Sequence, residues 1–348
     1  MVINLKKIKK TMKMFIKNRI AWTISALFLL AVTSCSKDKP AEQSPSGGQI
    51  LFTSEQAGLI VKSALNVKSD FVADAGLTLK TTINGIATSW VAGTDKTGIY
   101  STEARTATSA GGTLGIVNDE YIADNTAASS TFTATIPMFW GVANTIHNFY
   151  AYYPYNHDAP VPQPAAATLP VGVLSTQSQL VVNNFDHIGA LDFLVATPIA
   201  VISPANTNQT SHTYVHLVYN HLFTILEFDI KGSGTIGGVR LTGTDLALAG
   251  AVIDIKQVTP APGVAYTLAD QGSKASAVIV NLATATTLTA TATDTKVYMV
   301  IYPGYAGPCD IQFLNGGTWK NLVSKEAPAG GFKRGQKYVV TVDAGAIN

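Results

Sequence analysis

One cysteine near the N-terminus, Cys35, lies in a setting that points to a covalent modification. It follows a basic segment and an apolar run, residues 21–32, which is shorter than the roughly 20 residues that span a bilayer and has the length of a signal-peptide core. The run ends in Val32-Thr33-Ser34-Cys35. This is a lipobox pattern, in which small residues admit a peptidase and the thiol accepts a diacylglycerol. We therefore expect residues 1–34 to be a lipoprotein signal peptide and Cys35 to carry lipid, including palmitate.

The expected signal peptide and the rest of the chain differ in net charge. The formal net charge is +2, from 24 basic and 22 acidic residues. Seven of the basic residues and none of the acidic ones lie in residues 1–34, so the rest has 24 less seven, or 17, basic residues against 22 acidic ones. A body that is net acidic has no bulk attraction for nucleic acid. Residues 35–48 are polar and rich in Pro, Gly and Ser, which indicates a flexible tether.

Histidines and carboxylates are further candidates for chemistry, but their spacing fits no catalytic or metal site. His212 and His216 would lie about 13 Å apart on one face of a strand, and His221 on the other, so the three cannot bind one metal ion. Glycoside hydrolysis requires two carboxylates about 5–10 Å apart. Nothing in the sequence singles out a pair among the candidates Asp158, Asp186 and Asp192. We predict no enzyme, no catalytic residue, no metal and no cofactor apart from the covalent lipid.

Aromatic side chains are the remaining candidates for a binding surface. Residues 149–155 contain five aromatic rings in seven positions. In a strand, Tyr150 and Tyr152 would point one way and the odd-numbered residues the other, and we favour the interpretation that these rings fill a core. The other possibility is that exposed rings bind glycans. The candidates for that role are Trp140, Tyr155 and Trp319.

The secondary structure that must hold these residues is predicted from apolar residues that recur at every second position, as they do in strands. Residues 131–136, 224–230 and 296–302 alternate or are rich in Val, Ile, Thr and Tyr, as strands are. Gly-rich segments such as Gly232-Ser233-Gly234 are predicted to separate strands. Residues 54–65 are the one stretch where a short helix is expected, with Ser54 as its N-cap.

These patterns predict an all-β fold with two tandem antiparallel β-sandwich domains. Residues 202–209 are polar, contain a proline and lack apolar periodicity, and strong strand signals resume after them. We place the N-terminal domain at residues 49–205 and the C-terminal domain at residues 206–348. No internal repeat of the kind found in solenoids or propellers is present.

Five segments, taken in order, resemble the fimbrillins of Bacteroidales, the lipoprotein subunits of type V pili. The clearest is Tyr150-Ala151-Tyr152-Tyr153-Pro154-Tyr155, which is similar to the family's Tyr-Ala-Tyr-Tyr-Pro-Tyr strand. Another is Phe332-Lys333-Arg334-Gly335-Gln336-Lys337-Tyr338, which is similar to its closing Phe-x-x-Gly-x-x-Tyr strand. The other three segments are residues 89–100, 192–197 and 221–228.

The resemblance implies transthyretin-like sandwiches and assembly by strand exchange. In that process a protease removes an N-terminal strand, and a strand from a neighbouring subunit fills the groove. The implied removable strand contains Ile50 and Phe52. The implied donor candidates are Tyr338, Val340 and Val342.

The chain departs from the family at the cleavage site. The best-known pilins of the family are cut after an arginine in this region, and this chain has no arginine between Cys35 and Arg105. Either another protease acts at a lysine, or the N-terminal strand and its lipid stay in place. The candidate lysines are Lys62, Lys68 and Lys80.

The resulting hypothesis is a fimbrillin-like lipoprotein of the outer membrane, lipid-anchored at the cell surface or in a fimbria. It would be a structural or adhesive component of that pilus, or its membrane anchor. Its partners would be other fimbrial subunits or ligands on host or bacterial surfaces. The alternative, from a different class of protein, is a surface lipoprotein that binds glycans through exposed aromatic residues.

Overall fold

The computed structural model describes residues 48–56, 72–73, 89–106, 113–156, 168–207, 214–256 and 268–348. Strands dominate these residues, so the predicted all-β class is confirmed. The described helical elements are one short helix, α1 (Asp186–Leu191), and one 3-10 turn, Ala292–Asp294. Within the described part of the chain, no helix is both long and apolar enough to cross a membrane.

The first sheet contains eight strands. In sheet order they are β10 (Ile199–Ile202), β6 (Ile146–Tyr153), β3 (Lys96–Arg105), β4 (Leu114–Ala123), β5 (Ser129–Thr133), β1 (Leu51–Gln56), β11 (Tyr214–His221) and β9 (Leu194–Ala196). Strand β6 also pairs with β9, so the strands from β6 to β9 close into a ring. We call this the closed sheet.

The second sheet is built around one long strand, β12 (Thr224–Asp254), and we call it the β12 sheet. Its other strands are β2 (Val72–Ala73), β7 (Thr168–Val173), β8 (Thr176–Gln179), β13 (Leu268–Asp270), β14 (Ser273–Thr287), β15 (Lys296–Ile301), β16 (Pro308–Asn315), β17 (Thr318–Glu326) and β18 (Lys337–Ile347). The first part of β12 pairs with β15 and β18, and its later part pairs with β14, β16, β7 and β13.

The glycines that were predicted to end a strand lie instead inside β12, and that prediction was wrong. Gly234 has a φ of 97°, a conformation that favours glycine. A Cβ atom there would lie 2.1 Å from the carbonyl oxygen of Ile347 on the adjacent β18. The glycines therefore let β12 bend and keep close contact with β18, and the strand continues for 31 residues.

The prediction of purely antiparallel pairing was also wrong at three places. The pairs β1–β11, β12–β18 and β14–β8 are parallel. Parallel neighbours require a long connection, and each of these pairs is far apart in the sequence. Turn residues in the sequence indicate pairing between strands that follow one another in the chain. They do not reveal pairing between strands that are far apart in the sequence.

Three clusters of buried side chains form the core. One lies within the closed sheet, and one lies within the β12 sheet. The third joins both sheets, because Tyr152 and Val195 of the closed sheet pack with Leu248 and Ile253 of β12. Strand β11 follows the predicted boundary at residue 205 yet belongs to the closed sheet, whereas β7 and β8 precede it and belong to the β12 sheet. The division into two sandwich domains stays a prediction.

Candidate strand-exchange site

Strand β1 occupies a slot between two strands of the closed sheet. It runs parallel to β11 on one side, where Phe52 is the register partner of Val215. It runs antiparallel to β5 on the other side, where Phe52 is the partner of Phe132. The residues just before β1 continue the pairing, since the Ile50 amide donates to the Met138 carbonyl at 2.8 Å. A short N-terminal segment thus completes the closed sheet from within.

The inward side chains of this segment fill the core of the closed sheet. Ile50 and Phe52 are both fully buried. The ring of Phe52 meets those of Tyr121 and Phe149 edge to face, with centroids 5.0 Å and 5.4 Å apart. Such contacts stabilise a core beyond the burial of apolar area alone. Ile50 and Phe52, the residues of the implied removable strand, therefore lie on the inward face of one segment.

The outward face of β1 carries Leu51, Thr53 and Glu55, and its two polar side chains contact β11. The Thr53 hydroxyl lies 3.0 Å from Nδ1 of His216 on β11, and Glu55 lies 4.0 Å from Nε2 of the same ring. Ser54 points inward and is buried within β1, so the prediction that it caps a helix was wrong. Glu55 and Gln56 of the predicted helix also lie in β1, and residues 57–65 lie outside the described residues, as do Lys62, Lys68, Lys80 and Cys35.

The candidate donor residues lie in the other sheet. Tyr338, Val340 and Val342 alternate along β18 and are buried in the core of the β12 sheet. Tyr338 packs edge to face on Phe332, with centroids 5.3 Å apart. The structure therefore places these three side chains inside the chain's own core rather than at a free end. A donor role for β18 requires that it leave that core.

The three candidate ligand aromatics do not form one surface. Trp140 is buried in the core of the closed sheet, against His147 and Phe149. Tyr155 is half-buried beside the core that joins the two sheets. Trp319, on β17, is half-buried under the guanidinium of Arg240, which lies 4.7 Å from its centroid.

The aromatic run at residues 149–155 serves two cores. Phe149 and Ala151 point into the closed sheet, while Tyr152 points into the core shared with β12 and stacks on Phe193 at 6.0 Å. The core interpretation of this strand is confirmed.

A comparison with models of known protein families identifies the family of this chain. The model for fimbrillin-like proteins matches residues 81–348, which is most of the chain. The chain belongs to the fimbrillin-like family. None of the curated proteins is significantly similar to it.

Solved structures similar to this fimbrillin-like chain come from species of Bacteroides and Parabacteroides. A proposed cell adhesion protein from Bacteroides uniformis is 17% identical, with 73% of this chain and 87% of that chain covered and a TM-score of 0.48. One from Bacteroides ovatus is 12% identical, with coverage of 86% and 93% and a TM-score of 0.46. A fimbrial assembly protein from Parabacteroides distasonis is 9% identical, with coverage of 84% and 90% and a TM-score of 0.37.

Several of the candidate histidines and carboxylates make hydrogen bonds within the fold. His221 is buried and its Nδ1 atom bonds to the carboxylate of Asp192, a pair that sequence reasoning missed. Asp186, at the start of α1, accepts a bond from the Asn184 side chain at 2.9 Å. His212 and Asp158 lie outside the described residues. Among the residues described, no group of three or more potential ligands is placed to hold a metal ion.

The buried polar residues of the β12 sheet were also missed. Glu227 on β12 is buried and bonds to Lys337 on β18 at 2.6 Å and to Lys296 on β15. Burial alone would raise the pKa of Glu227, but the hydrogen bonds from both lysines outweigh it and lower that pKa. The three charges therefore link three adjacent strands. Cys309, the free cysteine among the described residues, is buried, and burial raises its pKa to about 12.

Proposed function

We propose that this fimbrillin-like protein is a component of a surface fimbria whose subunits join by exchange of strand β1. The observation that carries the proposal is the position of β1, which is a short N-terminal segment lying between β5 and β11. Its buried Ile50 and Phe52 fill the core there. A segment near the N-terminus can be removed without cutting the rest of the fold.

Removal of β1 would create a groove suited to another strand. Strands β5 and β11 would each expose a row of unpaired backbone groups, which is a template for strand addition. The sites of Ile50 and Phe52 would become two apolar pockets separated by one outward residue. An extended segment with alternating apolar side chains fits such a groove, through main-chain bonds for affinity and pockets for specificity.

The donor strand and the wider architecture belong to the same proposal. Tyr338, Val340 and Val342 have the alternation that the groove requires, and β18 is the last strand of the chain. Two tandem transthyretin-like sandwiches, divided near residue 205, would allow one unit to accept and the other to donate. Retention of β1 would instead make the protein a basal anchor of the fimbria.

The lipid completes the proposed role. Diacylglycerol on Cys35 would hold the protein in the outer membrane through the tether of residues 35–48, with the folded part at the cell surface. Cleavage beyond β1, at Lys62, Lys68 or Lys80, would release the lipid together with β1. The partners would then be other fimbrial subunits and the surfaces to which the fimbria adheres.

Glycan binding through exposed aromatics is the less favoured role. It would require solvent-facing rings on a common platform, and Trp140 is buried while Trp319 is covered by Arg240. A non-enzymatic role fits the family to which the chain belongs.

A disulfide that locks β1 in place tests the proposal. Thr53 and Thr131 are register partners on antiparallel strands, so their Cα atoms are about 4.5–5.5 Å apart, within disulfide range. The double variant Thr53→Cys/Thr131→Cys is expressed in the native bacterium, and outer-membrane fractions are run unheated on SDS gels. We expect a ladder for the wild type, no ladder for the oxidised variant, and recovery of the ladder when the cells are grown with reductant.

A second disulfide, far from β1, is the matched control. Asp310 and Ser324 are register partners on β16 and β17, and their side chains already touch at 2.5 Å. Asp310→Cys/Ser324→Cys should form the ladder whether oxidised or reduced. A ladder from the oxidised Thr53–Thr131 variant would reject exchange at β1. Absence of a ladder in the wild type, with an intact mass that retains lipid, would mean that β1 stays in place and the protein is an anchor.

A further inference from the structure

Strand β15 forms an edge of the β12 sheet. Among the described strands it pairs with β12 alone, through residues such as Val297 and Met299. In an antiparallel ladder, alternate residues turn their N–H and C=O groups away from that neighbour. In β15 these are Lys296, Tyr298 and Val300, and an edge of this kind is a template for pairing with another chain.

Two glutamine side chains on β8 bond to this edge in place of a strand. The Val300 amide donates to Oε1 of Gln177 at 3.0 Å, and Nε2 of the same glutamine donates to the Val300 carbonyl at 2.6 Å. The Tyr298 amide donates to Oε1 of Gln179 at 2.9 Å, and Nε2 of Gln179 donates to the Lys296 carbonyl at 3.1 Å. A primary amide carries both a donor and an acceptor, as a peptide group does.

The residues that follow β8 extend the same cover. The Lys296 amide donates to Oδ1 of Asn183 at 2.7 Å, and the Asn183 amide donates to the Lys296 carbonyl at 3.0 Å. Nε2 of His187 lies 3.1 Å from the Tyr298 carbonyl and must be the donor, since a carbonyl only accepts. Burial lowers the pKa of His187, which favours this neutral form. Every outward backbone group from Lys296 to Val300 is therefore bonded.

The glutamines lie in the register of an antiparallel strand. Gln177 meets Val300 and Gln179 meets Tyr298, so that a step of two along β8 matches a step of two back along β15. Both glutamines are buried. Their remaining Nε2 protons are also used, by the carbonyls of Leu174 at 3.1 Å and Val181 at 3.0 Å. The backbone of β8 meanwhile pairs with β14, which holds the side chains in place.

The sequence of β15 explains why such a cover matters. Residues 296–301 read Lys-Val-Tyr-Met-Val-Ile, a run of high β-propensity with one charge and no proline or glycine. Segments of this composition associate with copies of themselves when an edge is open. Antiparallel pairing of two β15 edges would be symmetric, so a second copy of the chain is a complementary partner.

We propose that Gln177 and Gln179 form a side-chain seal on the edge of β15 that prevents strand addition by a second copy of this chain. The seal is distinct from β1 and would leave the closed sheet as the sheet that accepts a strand from another copy. It holds whether or not the protein polymerises.

Charge placed inside the seal tests this inference. In Gln177→Glu/Gln179→Glu the carboxylates would face the carbonyls of Lys296 and Val300, where no amide donor remains, and β8 should leave the edge. The control is Ser178→Glu, which adds charge between them on the exposed face of β8. With full-length protein in detergent, we expect the double variant to sediment as dimers or larger species relative to the control. Sedimentation of the double variant identical to that of the control would overturn the proposal.

A milder variant keeps the test valid if the double variant unfolds. Gln177→Leu removes the two bonds to Val300 and the bond to the Leu174 carbonyl, leaves Gln179 in place and preserves side-chain size. In hydrogen exchange, we expect the Val300 amide to exchange about tenfold faster while Tyr298, still bonded to Gln179, is unchanged. Unchanged protection at Val300 would show that the glutamine does not seal the edge.

Discussion

Strands β1 and β15 are of the same length, and the protein completes their pairing in opposite ways. Strand β1 has a backbone neighbour on each side, so its removal would leave two open edges and two empty apolar sites. Strand β15 has one backbone neighbour among the described strands, and glutamine amides occupy its second side. The comparison shows that filling the hydrogen bonds of an edge does not by itself create a site for assembly. A strand such as β1 can be replaced by another strand, whereas an edge bonded to side chains has no room for one.

The largest effect that separates the two regions is expected at the centre of the β1 contact. Phe52→Ala removes a fully buried ring packed on Tyr121 and Phe149. We expect the free energy of unfolding to fall by about 3–5 kcal/mol, as for other phenylalanine truncations in a core. Urea denaturation followed by circular dichroism measures the change. Leu51→Ala, at the half-buried outward position beside it, should cost much less, and an equal loss would show that β1 is not anchored by its inward face.

The corresponding test on the β15 side removes charge rather than volume. Glu227→Gln withdraws the carboxylate shared by Lys296 and Lys337, and breaking a buried ion pair commonly costs about 3 kcal/mol. The matched control is Asp245→Asn, which removes the exposed partner of Lys274 and should leave the urea midpoint unchanged. Similar midpoints for the two variants would mean that the buried network does not hold β12, β15 and β18 together.

The same network has a pH dependence with a definite sign. The pKa of Glu227 is lower in the folded protein than its ordinary value of 4.5, so the folded state binds this proton less readily than the unfolded state. The stabilisation is therefore complete above pH 4.5 and is lost as the pH falls through the folded-state pKa. Glu227→Gln should flatten this part of the acid-unfolding curve.

The sequence was informative where a residue's role depends on its near neighbours. Alternation along the chain correctly separated Tyr152 from Phe149 in β6. Ser54 has the residue type of a helix cap, but pairing of β1 with distant β11 overrides that local preference. The glycines at 232 and 234 were interpreted as turns because sequence does not show that β18 approaches them so closely.

The sealed edge depends on contacts that no local pattern reveals. Gln177 and Val300 are 123 positions apart, and their bond depends on how β8 is placed against β14. The alternation Thr176-Gln177-Ser178-Gln179 was nevertheless a usable signal, since two glutamines on one face of a strand are unusual for a buried position. Similarly, the partnership of Asp192 with His221 follows from the pairing of β9 with β11 and from nothing in their spacing.

The smallest predicted effect concerns buried polar groups, which are hydrogen-bonded at β15 but not everywhere in the closed sheet. In the seal on β15 each glutamine amide is fully hydrogen-bonded, whereas Oδ2 of Asp119 in β4 is buried without a hydrogen-bond partner among the described residues. Burial raises the pKa of Asp119 from 3.8 to about 6. Asp119→Asn should therefore raise the free energy of unfolding at pH 7 by about 1 kcal/mol, after allowance for solvent screening.

The sign of this last effect reverses the usual acid behaviour. Because the folded protein holds the Asp119 proton more tightly than the unfolded chain, this carboxylate costs stability as the pH rises from about 4 to about 6. The advantage of Asp119→Asn should thus vanish below pH 4, where both states of the wild type are protonated. Asp124→Asn is the matched comparison, since that carboxylate accepts bonds from Thr131 and Thr133 at 2.7 Å and 2.9 Å and should gain nothing from neutralisation. Equal pH profiles for the two variants would show that the unpaired oxygen of Asp119 carries no penalty.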